Sequence, residues 1–213
     1  MKIGVFDSGL GGEAVAVELR RLLPGAQVIS INDRANMPYG TKPRAEIMKL
    51  TQAAIQPLLA LECDTIVIAC NTATTAAIQL LRHDYPTQKF IGLEPMVKPA
   101  ALLTKTGVIA TLATPATIAS PRYEKLKSEY AKGVSIIEPD CSSWAELIET
   151  DQRELIDLEA TIVPLLEQHV DVIILGCTHY HWLKDAIENI AGPTVMVLEP
   201  SDAIKNRILE ITN

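Results

Sequence analysis

The sequence is poor in the features that mark a membrane-spanning, secreted or nucleic-acid-binding chain. Hydrophobic residues make up 48% of its 213 positions, but the apolar runs are strand-length and interrupted, so none can cross a bilayer as a helix. No secretory segment is expected, because Met1-Lys2-Ile3-Gly4-Val5 already reads as a strand. Positive charge is in the minority: 19 Lys and Arg against 26 Asp and Glu leave a net charge of -7. With no Lys/Arg cluster to offset it, that balance argues against nucleic acid as the primary ligand. Cysteine is sparse as well. Four residues, Cys63, Cys70, Cys141 and Cys177, have neither a disulfide-framework spacing nor a C-x-x-C pair, and free thiols in a reducing cytosol are expected.

What is present is a repeated alternation. Strand-length apolar runs lie at 2–6, 27–31, 64–69, 89–93, 107–110, 134–137, 171–175 and 194–198, with helix-period segments between most of them. Helices are predicted near 12–23, 43–61, 72–84, 96–103, 117–131, 151–168, 180–190 and 201–211. Such alternation predicts an α/β fold of parallel strands with crossover helices. A weak internal repeat divides the chain near Leu93 to Pro99, and the expected organisation is two similar lobes: residues 1–94 with 200–213, and residues 95–199. In open parallel sheets ligands bind beyond the carboxyl ends of the strands, so a site in a cleft between the lobes is expected. About 70% of the unfolded chain's surface should be buried at this length.

Two segments carry the same pattern. Asp64 to Thr72 and Asp171 to His179 each run from an Asp through a buried-type strand to a Cys followed by hydroxyl and amide residues. Each Cys falls where a strand gives way to a helix, where the positive end of the helix dipole favours a thiolate. Packing is the default reading of one buried Cys; two in matching contexts point to a paired acid and base, and so to racemisation or epimerisation at a carbon. A zinc site at Cys70, Cys177 and His179 lacks the usual C-x₂-C pairing, and a redox pair would need the thiols within bonding distance.

Other polar motifs gather at strand ends. Asp7-Ser8-Gly9-Leu10-Gly11-Gly12 follows the first strand and could hold a carboxylate on free amides, or serve as a tight turn with Asp7 or Ser8 capping a helix. Asp33 and Pro38-Tyr39-Gly40 follow the second strand as an irregular loop. Thr114 and Thr117 stand three apart at a helix start, where one caps and both together would suit a carboxylate. Cys63 and Cys141 read as packing residues, and His83, His169 and His181 sit in helical or surface-like contexts.

D-S-G-L-G-G at 7–12, D-x₄-P-Y-G at 33–40, A-C-N-T-A at 69–73, A-T-P-A-T at 113–117 and G-C-T-H-Y at 176–180 together resemble the cofactor-independent glutamate racemases of the aspartate/glutamate racemase superfamily, in order and spacing over nearly the whole chain. The resemblance implies glutamate interconverted without pyridoxal phosphate or metal, to supply D-glutamate for peptidoglycan. It implies that Cys70 takes the α-proton from D-glutamate and Cys177 from L-glutamate, assisted by Asp7 and His179 respectively. Ser8, Pro38, Tyr39, Gly40, Asn71, Thr72, Thr114, Thr117 and Thr178 match positions that hold the substrate, and Glu149 and Asp33 are accessory candidates. A homodimer follows by the same analogy.

The match has departures. Asn32 stands where the family usually has Gly, Arg34 and Asn36 replace a customary Thr and Arg, Ser142 and His181 replace common prolines, and family members commonly continue beyond the 201–211 helix. Two rival readings remain at this stage: an aspartate or broad-specificity racemase, and a catalytically weak amino-acid-binding protein acting through a partner.

Overall fold

The computed structural model describes residues 1–212. The chain falls into two compact units, Met1–Glu94 with the segment from Pro200 onward, and Pro95–Glu199. The first begins with β1 (Lys2–Asp7), α1 (Gly11–Leu22) and β2 (Gln27–Asn32). Two single-turn 3-10 helices follow, at Arg34–Asn36 and Tyr39–Thr41, and then α2 (Arg44–Ala54), α3 (Gln56–Ala60), β3 (Thr65–Ile68), α4 (Asn71–Asp84) and β4 (Lys89–Gly92). The second holds α5 (Val97–Leu103), β5 (Val108–Leu112), α6 (Pro115–Ile118), α7 (Pro121–Tyr130), β6 (Ser135–Ile137), α8 (Trp144–Glu149), α9 (Leu158–Glu167), β7 (Val172–Leu175), α10 (Lys184–Ala191) and β8 (Met196–Leu198). The chain then returns to the first unit as α11 (Ser201–Thr212).

Each unit is a four-stranded, all-parallel sheet, and the two share one strand order: β2-β1-β3-β4 and β6-β5-β7-β8. Both faces of each sheet are covered, which is why the strands read as continuous apolar runs. On one face of the first sheet Ile3, Val5 and Val67 pack with Val15, Ala16 and Leu19 of α1 and with Ile204 and Ile208 of α11. The other face sets Phe6, Ile66 and Ile68 against Ile47, Ile55, Leu58, Ala77 and Leu81. In the second sheet Ile109, Val172 and Ile174 meet α5 and α7, while Leu112, Ile173 and Leu175 meet Trp144, Ile148, Leu165 and Ile187. Burying Ile204 and Ile208, each worth about 2 kcal/mol, ties α11 to the first sheet. Among the described residues no helix is long and apolar enough to cross a membrane.

Several helix expectations are corrected by local chemistry. The stretch expected as one helix over 43–61 breaks at Ile55, because Pro57 has no N–H to offer the Ala53 carbonyl. The stretch over 117–131 breaks ahead of Pro121, and the Ser120 hydroxyl instead donates to the Thr117 carbonyl at 2.7 Å while accepting from the Tyr123 amide. Residues 151–157 are not part of the expected 151–168 helix: α9 starts only at Leu158, where Asp157 Oδ1 accepts the Ala160 N–H.

The Asp that opens the second Cys motif is a clamp at the amino end of β7. Asp171 accepts the Thr104 hydroxyl at 2.5 Å and the amides of Lys105 and Thr106 at 2.6 and 3.0 Å. Burial pushes its carboxyl up, but these hydrogen bonds outweigh it and hold the pKa below its ordinary 3.8. A depressed carboxyl contributes stability that is fully present at neutral pH and is lost as pH falls through the folded-state value. Asp171→Asn should therefore cost about 1–2 kcal/mol at pH 7, with the gap to wild type closing in urea titrations near pH 3. A gap that stays constant between the two conditions would count against the clamp.

Candidate active site

In each sheet the order places two adjacent strands whose following helices leave to opposite faces, and this is the switch point where open α/β sheets leave a crevice at the carboxyl ends. In the first unit the two strands are β1 and β3, so the crevice is bordered by Asp7-Ser8 and Cys70-Asn71. In the second they are β5 and β7, and the corresponding residues are Thr114 and Cys177-Thr178.

In the first unit Cys70 is the N-cap of α4, and its sulfur accepts the Ala73 N–H at 3.3 Å. The Ser8 hydroxyl lies 3.2 Å from the same sulfur. An amide and a hydroxyl aimed at sulfur at a helix N-terminus favour negative charge there. Neither Asp7 nor Ser8 caps α1, whose N-cap is Leu10. Asp7 is wholly buried, its carboxylate accepts the Gly9 N–H at 2.9 Å, and its backbone carbonyl accepts the Asp33 N–H. Asn71 and Thr72 form the buried first turn of α4. Tyr39 is buried, with its ring 6.4 Å from that of Phe6, and its phenol donates to Asp33 Oδ2 at 2.7 Å. Burial first, then that bond, holds the phenol far above its usual range, so Tyr39 acts as a hydrogen-bond donor. Pro38 and Gly40 flank it, half-buried.

A close approach requires glycine at the start of α1. A Cβ on Gly12 would sit 2.3 Å from Asp7 Cβ and 2.7 Å from Asn32 Oδ1, so α1 can rest on the ends of β1 and β2 only without a side chain there. Gly12→Ala should cost about 1–3 kcal/mol as the helix start is pushed off the Asp7 loop, measured by chemical denaturation. An unchanged midpoint would contradict that contact.

In the second unit Cys177 leads not into an α-helix but into a 3-10 segment, Thr178–Leu183, before α10. Its sulfur lies 3.7 Å from His179 Nδ1, and His179 Nε2 is 2.7 Å from Glu149 Oε2. All three are buried. The result is a sulfur–imidazole–carboxylate chain, in which the carboxylate orients the ring and stabilises it when protonated. Thr178 is buried beside them, and Gly176 permits the turn, since a Cβ there would come within 2.9 Å of Ala113 Cβ. Thr114 caps the four-residue α6, and its hydroxyl engages the Thr117 hydroxyl at 3.1 Å and the Thr117 N–H at 3.4 Å.

Thus Asp7, Ser8, Asp33, Pro38, Tyr39, Gly40, Cys70, Asn71 and Thr72 lie in the first unit, and Thr114, Thr117, Glu149, Cys177, Thr178 and His179 in the second. The sequence reading did not anticipate two contacts: Ser8 against the Cys70 sulfur, and the bond that joins Glu149 to His179. Cys141 is a core residue whose thiol is pushed up to about 12, chiefly by burial and then by Asp140 and Cys177. His181 is half-buried within the 3-10 segment that follows Cys177, and burial lowers its pKa against the pull of Glu199. Among the described residues no cluster of three or more His, Cys, Asp or Glu is arranged to hold a metal ion.

A model of the Asp/Glu/hydantoin racemase family matches residues 13–206. The chain is 40% identical to the glutamate racemase of Roseiflexus sp., over 98% of this chain and 78% of that protein. It is 39% identical to the glutamate racemase of Aliarcobacter butzleri, over 100% of this chain and 84% of that one. Among solved structures, Escherichia coli glutamate racemase in complex with L-glutamate and the activator UDP-MurNAc-ala superposes with a TM-score of 0.86 at 29% identity, covering 98% of this chain and 81% of that one. Glutamate racemase from Francisella tularensis in complex with D-glutamate gives 0.80 at 28%, covering 99% and 82%.

Proposed function

The chain belongs to the Asp/Glu/hydantoin racemase family, and we propose that within it the chain interconverts L- and D-glutamate without a cofactor, with Cys70 and Cys177 serving opposite faces of the α-carbon. The observation that carries this reading is the matched placement of the two thiols, each at the carboxyl end of the third strand of a sheet with the same strand order and each beside its own polar partners.

From D-glutamate, the Cys70 thiolate accepts the α-proton, and the Cys177 thiol delivers a proton to the opposite face, leaving L-glutamate, a Cys70 thiol and a Cys177 thiolate. From L-glutamate the same steps run in reverse. The Ser8 hydroxyl and Ala73 amide support charge on the Cys70 sulfur. His179 exchanges a proton with Cys177, and Glu149 stabilises the imidazolium that forms. The α-proton is very weakly acidic, so the carbanion needs a closed site rich in donors. The buried amides and hydroxyls of Asn71, Thr72, Thr114, Thr117 and Thr178, together with the Tyr39-Gly40 amides, are the groups proposed to hold the carboxylates and ammonium.

Glutamate is preferred over aspartate in this reading because the relatives named above are glutamate racemases. The same reading takes the chain as a cytoplasmic homodimer that supplies D-glutamate for peptidoglycan. Circular dichroism of L- and D-glutamate solutions tests the reaction: each signal should decay to zero with added protein. Decay with aspartate alone would move the assignment to that amino acid, and binding of glutamate without decay would support a binding protein instead.

A further inference from the structure

The segment from Asp33 to Lys42 carries the Tyr39-Gly40 turn yet contains only two single-turn 3-10 helices. With no sheet ladder or α-helix to fix it, its path depends on side-chain hydrogen bonds. The Asp33 carboxylate is their hub. Asn36 Nδ2 donates to Oδ1 at 2.9 Å and to Oδ2 at 3.1 Å, and the Tyr39 phenol donates to Oδ2 at 2.7 Å. The hub is itself fixed, since the Asp33 N–H donates to the Asp7 carbonyl at 2.9 Å, and the Asn36 N–H returns to the Asp33 carbonyl at 3.2 Å. Tyr39 lies buried against Phe6 at the other end. Asp33 therefore ties the end of β1, through its backbone N–H, to Asn36 and Tyr39, through its carboxylate.

We propose that Asn36 is a positioning residue for substrate binding: with Tyr39 it clasps the Asp33 carboxylate and so fixes the Tyr39-Gly40 amides where a substrate carboxylate meets them. The inference rests on the proposed function, in which that loop holds one end of an amino acid. Asn36 is suited to the task because a neutral amide donates to the carboxylate without cancelling its charge, and its short side chain reaches only within its own turn. The Tyr39 hydroxyl, engaged by Asp33, serves the loop rather than the substrate.

The test pairs Asn36→Ala with the wild-type chain in two measurements. Amide hydrogen exchange over residues 33–42 in the substrate-free protein should speed up about tenfold, the scale of a lost bond to a charged acceptor, while the β1 and β3 amides stay protected. The KM for glutamate should rise about tenfold while kcat stays within about twofold, the mark of lost ground-state positioning. Unchanged exchange overturns the clasp. Faster exchange with an unchanged KM, or a loss in kcat alone, overturns its role in binding. If wild-type protein turns over no glutamate, the proposed function fails and the substrate half of this inference fails with it; failure of the inference alone leaves wild-type turnover intact.

Discussion

Cys70→Ala and Cys177→Ala each lose racemisation by about 10³–10⁴-fold, the loss expected when a positioned base is removed from an unactivated C–H. The two losses should not add, because the thiols act in one sequence and either alone leaves the cycle incomplete. Folding should hardly change. Both side chains are buried, but each is small and sits at a strand end, where truncation to Ala leaves little cavity. A single-thiol variant can still take a proton from one enantiomer and return one to the same face. Each variant should therefore wash solvent deuterium into one enantiomer only, D-glutamate for Cys177→Ala and L-glutamate for Cys70→Ala. Wash-in to both enantiomers from one variant, or full racemisation by either, would contradict the division of labour.

His179→Ala should lower kcat/KM by about 10²-fold, at the lower end of general acid–base contributions, and Glu149→Gln by about tenfold through weaker support of the ring. The equilibrium between enantiomers is unity, so kcat/KM must fall equally in both directions and cannot itself show which thiol is affected. An isotope effect can. With Cys177 slowed, α-deuterated L-glutamate should show a large primary effect, because its C–D bond breaks in the slow step. α-Deuterated D-glutamate should show almost none, because its bond breaks at Cys70. The reverse pattern would assign His179 to the wrong thiol. Equal effects would reduce the Cys177–His179–Glu149 chain to a structural contact.

The two sheets were legible because their central strands, β1, β3, β5 and β7, are buried and read as apolar runs, with the half-exposed edge strands still apolar enough to show between the helices. The polar residues at strand ends were legible for the same reason, since Asp7, Cys70 and Cys177 interrupt apolar runs where a buried carboxylate or thiol calls for an explanation. Helix boundaries set by single residues were harder to read. Helix α8, which carries Glu149, has six residues, too few to show a period. It stops at Asp151, a non-glycine residue at φ 58, with the Gln152 N–H returning to the Leu147 carbonyl. Glycine is the usual signal for such a stop, and without it the neighbouring charged residues read as the start of the next helix. The Glu149–His179 bond spans 30 residues and depends on that short helix, so sequence could name both residues but not join them. The Asp33 clasp was hidden in the same way: Asn36 stood out only as a departure from the family pattern, and its contact emerges from the fold of the loop.

The measurement that bears most directly on two-base racemisation is the isotopic content of both enantiomers early in turnover, with protonated L-glutamate in D₂O. The first D-glutamate formed should carry deuterium at its α-carbon, delivered by the thiol opposite the one that removed the proton, while the remaining L-glutamate keeps its original proton. D-glutamate that retains the original α-proton would show one base working on both faces, and would contradict the central role given to Cys70 and Cys177 together.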